Sequence, residues 1–123
     1  IGVGREEPQY GDYLNWLHRS DATLTFPQAV VLRYSKLEPE ERRLPQAVQD
    51  YSIWYHSRLR SVEAALEGKD FLVADRFTVA DIAVTFALYM GSRLGLADRY
   101  KPNCVRYLAA MMARPAFIKA TST

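Results

Sequence analysis

The side chains best suited to chemistry are few in this sequence. The chain has two histidines, His18 and His56, and one cysteine, Cys104. Structural and catalytic zinc sites use Cys and His at recognisable spacings, and these three residues match none of them. We therefore predict no metal site, and we interpret both histidines as polar side chains at the surface or at a packing boundary.

Cys104 is the only candidate nucleophile of its kind. It lies near the start of an expected helix, where a thiol pKa can be lowered. It also lies in line with Leu108 and Met111, which is the spacing of a core position. Because the sequence identifies no base for it, we predict a buried structural thiol and assign no catalytic residue to the chain.

Acidic and aromatic side chains suggest two other kinds of site. A carboxylate pair for acid–base catalysis needs a cleft to hold it, so Glu38, Glu40 and Glu41 are interpreted as a solvated turn. The aromatic residues recur at helical spacing, which favours packing in a core or an interface over stacking on nucleic-acid bases. The residues in question are Tyr10, Tyr13, Trp16, Tyr51, Trp54 and Tyr55.

One mildly polar helical face remains. His18, Asp21, Ala22 and Thr25 stand at offsets of three, four and seven residues, which places them on the same side of a helix. Small and polar residues ahead of a helix kink can line a cleft. A solvated face explains the same pattern, and the residues alone leave both interpretations open.

Composition and charge narrow the class of protein. With 123 residues, 49% of them hydrophobic, the chain can bury the core of a single domain. Its net charge is only +2, with sixteen basic residues scattered among fourteen acids, which disfavours a nucleic-acid surface. The longest near-apolar run, Val79 to Met90, is too short to cross a bilayer. A single cysteine is compatible with a reducing cytosol, so we expect a cytoplasmic protein.

Apolar spacing near 3.6 residues predicts helices, with no convincing strand pattern. Pro45, Pro102 and Pro115 each suit the first turn of a predicted helix. The helix after Pro45 carries an apolar stripe made of Val48, Tyr51, Tyr55, Leu59, Val62 and Leu66.

Residues 1–9 predict a tail or linker, and residues 10–120 a helical domain. A first helix is expected over about residues 10–36. Pro27 removes one of its backbone hydrogen bonds, so we expect a kink just before it.

The segment FTVADIAVTFALYM predicts the best-defined helix start. Thr78 and Asp81 stand in the relation of a capping box, in which each side chain accepts a hydrogen bond from the backbone N–H of the other. Phe77 and Ile82 have the spacing of a hydrophobic staple. The helix beyond is apolar nearly all round, which predicts that other helices surround it. Losing the cap in Asp81→Ala is expected to cost roughly 1–2 kcal/mol.

Two stretches, FLVADRFTVADIAVTFALY and KPNCVRYLAAMMARPAFIKA, resemble the C-terminal domain of cytosolic glutathione transferases. That family starts its central helix with an apolar residue, Ser or Thr, two residues and Asp. It commonly ends with P-x-x-x-x-[YW]-L-x-x-[ML]-x-x-RPA-[FY]. The matching positions here are Pro102, Tyr107, Leu108, Met111, Arg114, Pro115 and Phe117. The resemblance implies an all-α bundle of about five helices round a buried central helix.

The resemblance also implies a function for a larger parent protein. In the family a thioredoxin-like domain precedes the helical one and binds glutathione, and no strand–helix–strand unit precedes residue 10 here. We therefore expect a fragment that is inactive alone and holds no cofactor. Its parent would be a homodimer that conjugates glutathione, as co-substrate, to small electrophiles. Two alternatives are a non-catalytic protein-interaction module of the same fold and a stand-alone ligand-binding domain.

By the same resemblance, the first long helix lines the cleft beside glutathione and contributes to the dimer interface. Asp21 corresponds to an acidic position of that helix, which implies a contact with the glutathione amine. Thr78 and Asp81 correspond to helix-capping residues, whose role is folding. The expected substrate-binding residues are His18, Asp21, Ala22 and Thr25.

Overall fold

A computed structural model describes residues 1–122 and shows helices and connecting segments over that range. The predicted all-α class is confirmed. The six α-helices are α1 (Tyr10–Arg19), α2 (Phe26–Leu32), α3 (Pro45–Ala65), α4 (Val79–Arg93), α5 (Pro102–Met112) and α6 (Pro115–Thr121). The remaining helical segments are two π-helical ones, Ser20–Thr25 and Arg33–Leu37, and two short 3₁₀ turns, Glu40–Arg42 and Ala97–Arg99.

The first long helix is continuous from Tyr10 to Leu37, but its hydrogen-bonding pattern changes twice. The π-helical segment Ser20–Thr25 ends just before α2, in which Pro27 occupies the first turn. Proline has no N–H to donate, so a change in the ladder at this point follows from the sequence. The second π-helical segment closes where the Glu38 N–H donates to the Arg33 carbonyl, five residues back, at 2.9 Å.

Helix α3 supplies one wall of the core. Its predicted apolar stripe turns inward from Tyr55 onward, and every member is buried from there to the residue that follows the helix: Tyr55, Leu59, Val62 and Leu66. These side chains pack with buried residues of α4 and α5, among them Val84, Leu88 and Tyr107. The sequence therefore predicted this face of α3 correctly, because a regular helical period fixes which side chains share a side.

The start of α4 is organised by the carboxylate of Asp81, which is fully buried. Its Oδ2 accepts the backbone N–H of Thr78 at 2.9 Å, as the capping box predicts. Its Oδ1 accepts the Leu72 N–H at 3.1 Å and the Tyr107 hydroxyl at 2.7 Å. The carboxylate thus joins the loop before α4, the first turn of α4 and helix α5.

The reciprocal half of the capping box is weaker than predicted. Thr78 Oγ1 faces the first turn of α4, as the motif requires, but it is buried without a hydrogen-bond partner of good geometry among residues 1–122. The Asp81 N–H instead lies 3.0 Å from the Thr78 carbonyl. Asp81, more than Thr78, therefore holds this helix start.

Helix α4 is the axis of the domain, because its backbone carbonyls accept side-chain hydrogen bonds from the surrounding segments. Ser20 donates to the Ala83 carbonyl at 2.8 Å, and Gln28 donates to the Ala87 carbonyl at 2.6 Å. Tyr100 donates to the Leu88 carbonyl at 2.7 Å. Each of these bonds fixes the position of a neighbouring segment along α4.

One side of α4 departs from the sequence-based expectation. Ala80, Val84, Ala87 and Leu88 are fully buried, but Ile82 is 46% exposed and Phe86 is 54% exposed. The expectation that helices surround α4 on every side is therefore wrong for the stripe that carries Ile82 and Phe86. An apolar residue type does not itself supply a neighbour, and no described element covers this stripe.

We expect Asp81→Ala to destabilise the domain by about 3–5 kcal/mol, more than the loss of a cap alone, because three donors lose a buried acceptor. Chemical unfolding at pH 7 measures the change. Asp12→Ala is the matched control, since Asp12 lies exposed in the first turn of α1 and should cost less than about 1 kcal/mol. Equal losses in the two variants would contradict the role given to Asp81.

Two glycine-to-alanine changes should have opposite effects on the stability of the domain. A Cβ on Gly91 would lie 2.6 Å from the Tyr55 hydroxyl oxygen and closer still to that of Tyr100, whereas a Cβ on Gly11 meets nothing within 4 Å. We expect Gly91→Ala to lower the free energy of unfolding by about 1–3 kcal/mol, because the added methyl group overpacks the site. Gly11→Ala should gain about 0.5–1 kcal/mol of helix stability. Thermal unfolding of both variants checks the pair, and a neutral Gly91→Ala would show that the tyrosines can move aside.

Stability should fall at alkaline pH. Burial raises the pKa of Tyr100 to about 12, and burial also raises the pKa of Tyr55 and of Tyr107. Tyrosines in the unfolded chain ionise at about pH 10. Above that pH the unfolded state therefore binds fewer protons than the folded state. The stability that these buried tyrosines contribute is therefore fully present below about pH 10 and is lost as the pH rises toward 12. Urea midpoints from pH 8 to pH 11 measure it, and Tyr100→Phe should give a shallower decline than the parent chain; identical slopes would contradict the assignment.

Candidate functional site

An apolar groove runs between α2 and α4, and we call it the α2–α4 groove. It encloses about 170 Å³. Its lining residues are Thr25, Gln28, Ala29, Leu32, Phe86, Met90 and Leu94. The groove therefore lies where the first long helix meets the exposed stripe of α4.

Three features place the walls of this groove. Gln28 is only 4% exposed, and the hydrogen bond that its side-chain amide donates to the Ala87 carbonyl holds α2 alongside α4. Thr25 turns its hydroxyl toward the backbone of its own helix, 3.3 Å from the carbonyls of Ser20 and Asp21. Phe86 stands half-exposed on the opposite wall. The polar groups are thus engaged with backbone, and what the groove offers a ligand is apolar surface.

The four residues predicted to bind substrate are divided by the structure. Thr25 lines the groove, while His18, Asp21 and Ala22 are exposed and do not line it. The prediction placed all four on one face by assuming α-helical spacing throughout. Asp21 and Ala22 lie instead in the π-helical segment, where each turn of hydrogen bonding takes an extra residue. Substrate binding by these four residues stays a prediction.

The opposite wall was missed from the sequence. Phe86, Met90 and Leu94 follow one another at intervals of four along α4 and so share a stripe. That spacing was visible, but the residues on the other sides of α4 are apolar as well. A helix that is apolar nearly all round gives no periodic signal of which stripe is left open.

A second, larger cavity of about 360 Å³ flanks the same stripe where α4 meets α5 and α6. Ile82, Phe77, Met111 and Phe117 supply most of its apolar walls. The guanidinium of Arg114 lies 3.7 Å from the centre of the Phe77 ring, a cation–π contact that holds one edge of the cavity. We call the Ile82–Phe86 stripe with its two flanking hollows the open face of α4.

The structure places the Cys104 thiol in the hydrophobic core. It is 1% exposed within the core, and burial, together with the neighbouring Glu63 carboxylate, raises the pKa of its thiol to about 12. The Glu63 carboxylate accepts the backbone N–H groups of Asn103 and Cys104, both at 2.9 Å. Glu63 therefore caps α5 from α3, and a carboxylate in that place opposes formation of a thiolate.

Neither histidine lines the α2–α4 groove. His56 Nε2 lies 2.8 Å from the Leu96 carbonyl, while His18 is exposed. Over residues 1–122, no three His, Cys, Asp or Glu side chains are grouped so as to hold a metal ion. Within the same range, every helix is too short or too polar to cross a membrane.

Comparison with known proteins gives the family. Residues 55–115 match the family model described as glutathione S-transferase, C-terminal domain. Among solved structures, a glutathione S-transferase from Actinobacillus pleuropneumoniae is similar at 26% identity and a TM-score of 0.72, covering 99% of this chain and 54% of that one. A glutathione transferase from Phanerochaete chrysosporium in complex with oxidized glutathione has a TM-score of 0.86 at 21% identity, covering 99% of this chain and 56% of that one.

A curated relative of another kind is similar over a shorter stretch. Elongation factor 1-gamma of Trypanosoma cruzi is 40% identical over 70 residues, covering 52% of this chain and 17% of that protein. The chain spans about half the length of the solved transferases that it matches. From the family-model match and the shared helical fold, we conclude that this chain belongs to the family of glutathione S-transferase C-terminal domains.

Proposed function

We propose that this chain is the substrate-side helical domain of a glutathione transferase. The complete protein would conjugate glutathione to small apolar electrophiles. The observation that carries the proposal is the α2–α4 groove, whose walls are apolar and whose mouth lies on the open face of α4. An apolar hollow of this kind suits the hydrophobic co-substrate, not the peptide-like and charged glutathione.

The activation of glutathione is proposed to come from another part of the complete protein. The thiolate is the nucleophile, so an enzyme must lower the thiol pKa by donating a hydrogen bond or by placing positive charge nearby. In the groove, the Thr25 hydroxyl and the Gln28 amide both face backbone carbonyls of the domain. Because these donors are engaged, we propose that the 123-residue chain is inactive by itself.

The first long helix is proposed to meet glutathione and a second subunit. Asp21 is exposed on it, and a carboxylate there has the charge needed to bind the glutathione amine. His18 and Ala22 are exposed beside it. We propose a cytoplasmic homodimer in which this surface closes the glutathione end of the site while the α2–α4 groove holds the electrophile.

A second candidate function is that of a protein-interaction module without catalysis. The similarity to elongation factor 1-gamma of Trypanosoma cruzi, at 40% identity, favours it. In that case the open face of α4 would contact another part of the assembly and would bind no electrophile. The coding sequence upstream of Ile1 is the test that discriminates the two. A thioredoxin-like sequence with a Ser, Tyr or Cys near its start would support the transferase, and a synthetase or elongation-factor sequence would support the module.

The groove can be tested in the complete protein by shortening one wall. We expect Phe86→Ala to raise the KM for 1-chloro-2,4-dinitrobenzene about tenfold, because it removes apolar contact from the electrophile and not from glutathione. The KM for glutathione should change less than about twofold. Initial rates with each substrate varied in turn measure both constants.

Ile118→Ala serves as the matched control, since Ile118 is 54% exposed on α6 and lies outside the groove. It should leave both KM values unchanged. An equal rise for the two variants would contradict the groove. Conjugation by the purified 123-residue chain above the uncatalysed rate would contradict the proposed inactivity of the domain alone.

A further inference from the structure

A cleft between the first long helix and α3 gathers three arginines. It encloses about 300 Å³. Its lining residues are Arg19, Thr23, Ser57, Arg58, Arg60 and Ser61. We call it the arginine cleft, and it lies on a different helix seam from the α2–α4 groove.

Two of the guanidinium groups are held by aromatic rings. The Arg19 guanidinium carbon lies 4.9 Å from the centre of the Trp16 ring, and that of Arg58 lies 5.8 Å from the centre of the Trp54 ring. A cation–π contact restrains the side chain while leaving the edge N–H groups free to donate. The rings therefore order these arginines without neutralising them.

Within residues 1–122, none of the three cleft arginines forms an ion pair with a carboxylate. The ion pairs in that range use other arginines, namely Arg33, Arg42, Arg76 and Arg106. The three cleft arginines belong to none of them. Like charges brought together in one hollow raise the local positive potential, and a bound anion relieves it. The net charge of the whole chain is only +2, so this attraction is local.

The hydroxyl groups of the cleft define what kind of anion fits. Thr23 donates to the Arg19 carbonyl at 2.7 Å, Ser57 to the Trp54 carbonyl at 2.8 Å and Ser61 to the Arg58 carbonyl at 3.0 Å. Their hydrogens face the helix backbones, so the donors available to a ligand are guanidinium N–H groups. Such a ligand needs several acceptor oxygens and more than one negative charge.

We propose that the arginine cleft binds a phosphate group. A phosphate dianion offers its oxygens to several arginine forks at once, and its charge matches a site of three cations better than a single carboxylate does. A volume of about 300 Å³ leaves room for an organic part beside the phosphate. The proposal does not depend on the transferase assignment, because it concerns a separate seam of the domain.

Titration of the 123-residue chain with inorganic phosphate tests the site, with chloride added to hold the ionic strength constant. We expect saturable binding by calorimetry. Arg58→Gln and Arg60→Gln should each weaken it about tenfold, the usual effect of losing a charged hydrogen-bond donor. Arg93→Gln is the matched control, since Arg93 is exposed at the end of α4 and lies outside the cleft. It should weaken binding less than about twofold.

Further ligands distinguish the sources of phosphate. Tighter binding of a nucleoside monophosphate than of inorganic phosphate would assign the cleft to phosphomonoesters, and equal binding would assign it to the free anion. Non-saturable binding, equal weakening by Arg93→Gln, or equal affinity for succinate would overturn the proposal. Arg58→Lys, which keeps the charge and removes the fork, should weaken binding less than Arg58→Gln does. Helix content of each variant by circular dichroism confirms that the fold is retained.

Discussion

The buried carboxylate of Asp81 is the interaction on which the rest of this domain depends. Its two oxygens accept hydrogen bonds from Leu72, Thr78 and Tyr107, which belong to three different parts of the chain. A fully buried carboxylate is tolerated only when its oxygens are satisfied, so the three donors have to be in place together. This requirement fixes where α4 begins and how α5 lies against it.

The position of α4 then decides the geometry of the candidate site. The Gln28 bond to the Ala87 carbonyl sets α2 beside α4 and so sets the width of the groove between them. The Tyr100 bond to the Leu88 carbonyl fixes the opposite side of the same turn. Phe86 stays half-exposed on the wall of this groove, because the buried sides of α4 are already occupied. The apolar wall is therefore exposed by the same packing that makes α4 the axis of the domain.

Two seams of one helical bundle offer different chemistry. The seam between α2 and α4 presents apolar side chains, since its polar groups bond to backbone. The seam between the first long helix and α3 presents guanidinium groups ordered by Trp16 and Trp54. Helices bury one stripe each and leave the remaining stripes free to differ. A single small domain can therefore combine an apolar hollow with a positively charged one.

The sequence by itself determined the helix starts at Pro45, Pro102 and Pro115, the Asp81 cap and the buried stripe of α3, because these depend on residues close together in the chain. It also carried the motifs of the family. Only the tertiary structure decided that Ile82 and Phe86 stay exposed, that Thr25 alone of the four predicted residues reaches the groove, and that three arginines line one cleft. Helical periodicity states which side chains share a face, but whether another helix covers that face depends on segments distant in sequence.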